Sequence, residues 1–271
     1  MTRGASSSEP TGVMVAGAQG RMGLEVRAAL EREPRLRFAG ALERPGHEDV
    51  GRTLDGGVVL RDDAKAALEG CGVAIEFSVP KATIANVGVA ADLGVAYVTG
   101  TTGLDDDDRR ALALAAERIP VIHAPNFSVA VHVLGHLARE AARLLGDDYD
   151  AELFELHHKM KRDAPSGTAL FLAEAVAEGQ GRPATDRLVL ERAGDMVPRP
   201  EGSIGVQALR GGDNPGEHTI YFIGRGERLE LSHRAATRGH FASGAVRAAA
   251  WIAGREPGLY RIEQVLGLDG C

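Results

Sequence analysis

The chain has 271 residues, 44% of them apolar and 25% charged, a globular balance with material for one large domain or two modest ones. Thirty-one basic side chains against 38 acidic ones leave a formal charge of −7, and only 4% of residues are aromatic, which excludes the basic, stacking-rich surface of a nucleic-acid binder. Cys71 and Cys271 are too few for a disulfide framework or a cysteine zinc site, and the 35 glycines, nearly double the usual ~7%, point to tight turns and close backbone approaches.

Residues 1–11 read as a loose, polar, Ser-rich tail with no signal-peptide pattern. The apolar run 12–16 predicts a buried strand, and 21–31 an amphipathic helix with Met22, Val26 and Leu30 on one stripe, closed by Pro34. Further strands are predicted at 36–42, 73–79, 96–100 and 120–123, with helices at 83–93 and 105–118. Strands alternating with helices over short connections predict an α/β fold with a Rossmann-like, doubly wound parallel sheet. The longest stretch without formal charge, 119–138, is broken by Pro120, Pro125 and three histidines, so it is no membrane span. With two isolated cysteines, a reduced, cytoplasmic protein is expected.

The texture then changes. A helix is predicted at 129–145, an alternating strand at 150–158 and a helix at 168–178. Strands at 188–191, 204–210, 218–224 and 228–233 follow, separated by glycines and without intervening helices, which predicts a second α+β domain with an open mixed sheet. A last helix, 243–253, is expected to return to the first domain. The predicted division is therefore 12–125 with 239–271, and 126–238, with hinges near 126–129 and 238–243.

The predicted strand-to-helix turn Gly17-Ala18-Gln19-Gly20-Arg21-Met22-Gly23 has the context that a dinucleotide pyrophosphate needs. Glycines let backbone N–H groups approach phosphate, and a helix N-terminus adds partial positive charge. Arg21 can add a direct phosphate contact. The GxxGxxG spacing departs from the strict fingerprint, and a turn that only packs a helix on a sheet reads the same way. Glu43 lies 26 residues after Gly17, at the end of the second predicted strand, where an acid can accept ribose hydroxyls. Its neighbour Arg44 suits a 2′-phosphate, so NADH and NADPH both stay open. Gly100, Thr101 and Thr102, with Ala124, Pro125, Asn126 and Phe127, follow later strands and are expected to line the nicotinamide half.

The densest chemistry lies in 155–169, which reads ELHHKMKRDAPSGTA. Two imidazoles and three cations precede a Pro-Ser-Gly-Thr turn that opens a helix. A helix start flanked by Lys and hydroxyls, here Ser166, Gly167 and Thr168, suits a carboxylate or phosphate, and a histidine beside it can exchange a proton near neutral pH, so a small acid that gains or loses a proton is expected. A simple basic surface turn is the plain alternative. Zinc is disfavoured because adjacent strand residues point to opposite faces and no cysteine is near, so no metal is expected.

These motifs resemble the 4-hydroxy-tetrahydrodipicolinate reductase (dihydrodipicolinate reductase) family. The likeness rests on GAQGRMG at 17–23, Glu43-Arg44, GTTG at 100–103, the block at 155–169, RGGDNPGEH at 210–218, His233, Arg238 and FASGA at 241–245, and it spans nearly the whole chain. It implies an NADH- or NADPH-dependent reductase of the diaminopimelate route to lysine, acting as a homotetramer on a cyclic imino dicarboxylate. It implies that His157 is proton donor and acceptor, that Lys161 is the second catalytic group, and that His158, Gly167 and Thr168 bind substrate. The cofactor positions it implies are Gly17, Ala18, Gln19, Gly20, Arg21, Met22, Glu43, Arg44, Gly100 to Thr102 and Ala124 to Phe127. Two other readings compete. An amino or imino acid dehydrogenase of the same build has no reason to keep the block at 157–168, and a non-catalytic NAD(P)H sensor needs neither His157 nor Lys161.

Overall fold

The computed structural model describes residues 9–185, 187–194 and 198–268. Most of the predicted tail and Cys271 lie outside them, and Thr11 already belongs to the first strand. Residues Ser128–Arg238 pack as one compact unit, and the chain up to Phe127 together with the chain from Gly239 packs as the other.

The first unit is built on seven strands: β1 (Thr11–Ala16), β2 (Leu36–Leu42), β3 (Leu60–Arg61), β4 (Val73–Glu76), β5 (Ala96–Thr99), β6 (Pro120–His123) and β12 (Gly258–Tyr260). All pair in parallel, in the order β12-β6-β5-β4-β1-β2-β3. The run 3-2-1-4-5-6 is the dinucleotide-binding arrangement, whose strand order reverses between β1 and β4. Its helices are α1 (Arg21–Leu30), α2 (Ala64–Leu68), α3 (Pro80–Leu93), α4 (Asp106–Ala116), α7 (Gly239–Ile252) and α8 (Ile262–Leu266). Val13 and Val15 pack with α1 and α7, while Met14 and Ala16 pack with α2, α3 and α4. Burial on both faces is why these strands read as unbroken apolar runs.

The second unit holds β7 (Asp150–His157), β8 (Leu188–Val189), β9 (Ile204–Arg210), β10 (Glu217–Ile223) and β11 (Arg228–Arg234), in the order β11-β10-β7-β9-β8. The sheet is mixed: β7–β9 and β8–β9 are parallel, and β10 is antiparallel to both β7 and β11. Helices α5 (Val129–Leu145) and α6 (Gly167–Gly179) share its core with Leu153, Val206, Ile220 and Phe222.

Some predicted elements shift. The strand expected to reach residue 79 ends at Glu76, and the helix expected from 83 starts at Pro80, because proline's fixed φ and missing N–H suit the first helical turn. The last long helix starts at Gly239 rather than 243, and the strand expected at 188–191 is only two residues long. The unpredicted β3, β12, α2 and α8 are all five residues or fewer, too short for a periodic pattern.

Candidate active site

In the first unit, the loops that follow β1, β2, β5 and β6 leave the carboxyl ends of the parallel strands. Gly17 turns the chain with φ +66°, donates its N–H to Leu42 O at 2.8 Å, and accepts at its own carbonyl from Gly20 N at 2.9 Å. A Cβ at Gly17 would meet nothing within 4 Å, so the space above the turn is open. A Cβ on Gly23 would overlap the Gly17 carbonyl oxygen and come 2.8 Å from Ala18 Cα; this glycine lets α1 close on the turn. Gly20 is the N-cap of α1, with Arg21 and Met22 in the first turn. Glu43 Oε1 accepts from Gln19 N at 3.0 Å, and Oε2 from Arg44 N at 3.3 Å. The carboxylate thus braces the glycine turn from the end of β2, while Arg44 is exposed. An open glycine cradle at a helix N-terminus with an acid beside it fits a dinucleotide.

Several predicted cofactor residues offer only backbone. Ala18 and Phe127 are fully buried, and Met22 packs on the core. Thr101 Oγ1 is committed to Thr83 Oγ1 at 2.7 Å, and its carbonyl pairs with His123 Nε2 at 3.1 Å. A Cβ on Gly100 would overlap the Phe77 ring, which meets Phe127 edge-on at 5.7 Å. Thr102 and Pro125 are exposed.

In the second unit, His157 ends β7, His158, Lys161 and Ser166 fall on the β7–α6 connection, and Gly167 and Thr168 open α6. Strand alternation on β7 buries Ala151, Leu153, Glu155 and His157 on one face. His158, the first residue after β7, is half-buried, and its N–H donates to Asn214 O at 2.8 Å. Lys159 N donates to Gly212 O at 3.2 Å and Gly211 N to His157 O at 2.9 Å, so the β9–β10 loop holds the end of β7. Lys161 Nζ lies 2.9 Å from Asp163 Oδ2. Ser166 caps α6, its Oγ accepting from Ala169 N at 3.1 Å. A Cβ on Gly167 would meet nothing within 4 Å, which leaves open space at the helix start, where amides have no intrahelical acceptor.

Glu155, on the buried face of β7, is 0% exposed. Its Oε1 accepts from Ser166 N at 2.9 Å and from Arg210 Nη2 at 2.8 Å. Oε2 lies 3.1 Å from His157 Nδ1 and 3.6 Å from His218 Nε2. His218 Nε2 also sits 3.2 Å from Ser166 Oγ, and its ring meets His157 edge-on at 5.1 Å and stacks with His233 at 6.4 Å. Register explains the grouping: His218 faces Glu155 across β10–β7, His233 faces His218 across β11–β10, and Arg210 faces His157 across β9–β7.

Burial pushes the Glu155 carboxyl up, but His157, His218, Ser166 and Arg210 together outweigh it and hold it well below the usual carboxylate range. Burial pulls His218 down, against the pull of Glu155 and reinforced by His157 and Lys161, so its imidazole stays neutral more readily than a free one. Ligand atoms of Glu155, His157 and His218 lie within 4.8 Å of one another. The Arg210 guanidinium already supplies the charge compensation that a cation would bring.

Glu155, Arg210, His218 and Gly216 were not singled out as site residues from the sequence. All fall inside or beside the blocks that carried the family resemblance, but only the strand pairing brings them to His157.

The fold and the two residue clusters define a two-domain, nicotinamide-nucleotide-dependent oxidoreductase. The family model for "Dihydrodipicolinate reductase, N-terminus" matches residues 11–127, and the one for "Dihydrodipicolinate reductase, C-terminus" matches residues 130–266. A 4-hydroxy-tetrahydrodipicolinate reductase of Anaeromyxobacter dehalogenans is 48% identical over 267 residues, covering 96% of this chain and 99% of its own. That of Geobacter sulfurreducens is 46% identical over 265 residues, covering 95% and 99%. Among solved structures, dipicolinate-bound dihydrodipicolinate reductase from Paenisporosarcina sp. TG-14 shares the fold, with a TM-score of 0.74 at 23% identity over 93% of this chain and 97% of that one. The chain belongs to the dihydrodipicolinate reductase family.

Proposed function

We propose that this protein converts 4-hydroxy-tetrahydrodipicolinate to tetrahydrodipicolinate in lysine and diaminopimelate biosynthesis: the hydroxyl leaves as water to give a conjugated imine, which takes up a hydride from NADH or NADPH and a proton. The observation that carries this reading is the joint placement of an acid–base histidine, His157, and an open helix start at Gly167 on one short connection. A cyclic imine dicarboxylate needs both: an anion site for a carboxylate, and a proton for the ring position that becomes electron-rich on reduction.

The glycine turn at 17–20, Glu43, Arg44, and the loops at 100–102 and 124–127 would hold the dinucleotide, which supplies the hydride when bound. On the protein side, Gly167 and Thr168 grip one substrate carboxylate with helix-terminal N–H groups, while Ser166, whose own N–H is taken by Glu155, caps the helix that presents them. His157 delivers the proton, Lys161 steadies the negative charge that develops before protonation, and His158 contributes to substrate binding. The Ser128–Arg238 unit is the substrate and assembly domain in this reading. Its open mixed sheet gives a homotetramer a face to assemble through. Among the described residues no helix is long and apolar enough to cross a membrane, and we place the enzyme in the cytoplasm.

The test follows nicotinamide absorbance with enzymatically generated 4-hydroxy-tetrahydrodipicolinate, and then with simple keto and imino acids. Oxidation of the nicotinamide with the first alone is expected. Turnover of the simple acids at equal rates would point to a general dehydrogenase, and none with any substrate to a nucleotide sensor.

A further inference from the structure

We infer that Glu155 is the positioning residue of this site, its Oε2 holding Nδ1 of His157 so that Nε2 is the nitrogen presented to substrate, and its Oε1 fixing the Ser166 turn. The inference rests on the role proposed above for His157.

The two carboxylate oxygens divide the work. Oε1 is taken by Ser166 N at 2.9 Å and Arg210 Nη2 at 2.8 Å. Oε2 is left to the imidazoles, 3.1 Å from His157 Nδ1 and 3.6 Å from His218 Nε2. Oε2 and Nδ1 are both buried and neither has an aligned hydrogen-bond partner, so their 3.1 Å approach is a close charge contact rather than a formed hydrogen bond, and it is the nearest group either has to offset its burial. A group held at one imidazole nitrogen decides which nitrogen carries the other proton. A carboxylate on Nδ1 keeps that proton there and favours the imidazolium that forms during proton exchange, the role of the buried acid in a hydrolase triad. The opposite nitrogen, Nε2, lies beside Gly216, where a Cβ would come within 2.9 Å, so the bare glycine keeps that side of the ring clear.

A structural explanation alone is weak here. Burying an ion pair rarely stabilises a fold more than apolar side chains of similar volume. One acid is nevertheless faced by His157 on its own strand, Arg210 on β9, His218 on β10 and the α6 amide of Ser166, with His233 stacked behind His218 and Lys161 and Asp163 in the adjoining loop. Through this one side chain the proton-exchanging ring and the carboxylate-gripping turn are held at a fixed spacing.

The experiment compares wild type with Glu155→Gln and Glu155→Asp. Glutamine keeps the volume and can still accept from Ser166 N, but lacks the charge. Glu155→Gln is expected to lose about 100-fold or more in kcat while the substrate KM stays within about threefold. Glu155→Asp, which restores the charge, recovers about tenfold or more over the glutamine variant. Nitrogen-15 NMR of the wild-type histidines, with the His157 signals identified by their loss in His157→Gln, is expected to show neutral His157 protonated at Nδ1. An aspartate variant no better than the glutamine one, or a proton on Nε2, would overturn the proposal. The tautomer is read on wild type without substrate, so it decides the matter even if Glu155→Gln does not fold, and separately from whether the proposed substrate is turned over.

Discussion

Gly216 stands against the imidazole of His157: a Cβ built there would lie 2.9 Å from Nε2 and 3.2 Å from Cδ2. Its φ of +150° is one that side-chain-bearing residues rarely adopt. The turn is pinned by Asn214, whose Oδ1 accepts from Gly216 N at 2.8 Å, so the backbone cannot easily retreat. Gly216→Ala should cost roughly 1–3 kcal/mol of stability through backbone strain. It should also lower kcat by about tenfold or more, since a small displacement of a catalytic group is felt steeply. Thermal unfolding and steady-state kinetics on the same preparation check both; an alanine variant with unchanged kcat would mean that Nε2 is not the working nitrogen.

His157 itself is 7% exposed, at the last residue of β7, and held through its backbone as well as its ring. His157→Ala should lower kcat by about 10²–10⁴-fold, the range expected for a lost general acid–base group. Substrate KM should change far less, because the carboxylate site at Gly167 and Thr168 is left in place. Near-normal turnover would remove His157 from the chemistry.

Much of this was legible locally, and the reasons differ by element. Helix α5 and strands β6 and β9 carry their own boundaries: Pro120 opens β6, the Ser128 side chain caps α5 at Val131 N, and glycines follow β9. The inward placement of His157 could be read from the two-residue strand period alone. Glu155 is different. Its partners Ser166, His218 and Arg210 lie 11, 63 and 55 residues away, and what joins them is the pairing of β7 with β9 and β10. Register over such separations is set by the packed sheet and not by any local pattern. The same holds for β12, three residues long, whose existence depends on β6 offering an edge.

Ser166 serves two structures at once. Its Oγ accepts from Ala169 N at 3.1 Å and lies 3.2 Å from His218 Nε2, while its N–H reaches Glu155. Ser166→Ala should cost about 1 kcal/mol from the lost helix cap. It should raise the substrate KM more than it lowers kcat, because the disturbed groups are those at the helix start. Ser166→Thr keeps the capping oxygen and should restore both; equal damage from the two variants would count against the cap as the cause.

Arg44 follows Glu43 at the end of β2 and is exposed, whereas Glu43 is tied to the glycine turn through Gln19 N. A charge-assisted bond to a 2′-phosphate contributes roughly 1.5–3 kcal/mol. Arg44→Ala should therefore raise KM for NADPH by about tenfold or more and leave KM for NADH within about threefold. Glu43→Ala should weaken both nucleotides, since it loosens the turn that receives the pyrophosphate. Equal losses for NADH and NADPH in Arg44→Ala would show that its guanidinium does not read the ribose.

Acid should destabilise this protein through buried groups that include His218 and Glu155, with His123, also lowered by burial, acting in the same direction as His218. The folded His218 sits below its unfolded value, near 6.5, because burial disfavours its cation. The unfolded chain then binds more protons as pH falls below about 6.5, so stability drops there. Glu155 acts in the same direction lower down. Its depressed folded value contributes stability that is complete above the unfolded carboxylate range and is lost as pH falls through that range and below it. The unfolding midpoint should thus decline between about pH 7 and 5 and more steeply below about pH 4.5. His218→Gln should flatten the first part of that decline, because it removes the proton taken up on unfolding. Thermal unfolding monitored by circular dichroism from pH 4 to 8 tests this; identical slopes in the two proteins above pH 5 would show that His218 contributes nothing and leave the decline to His123.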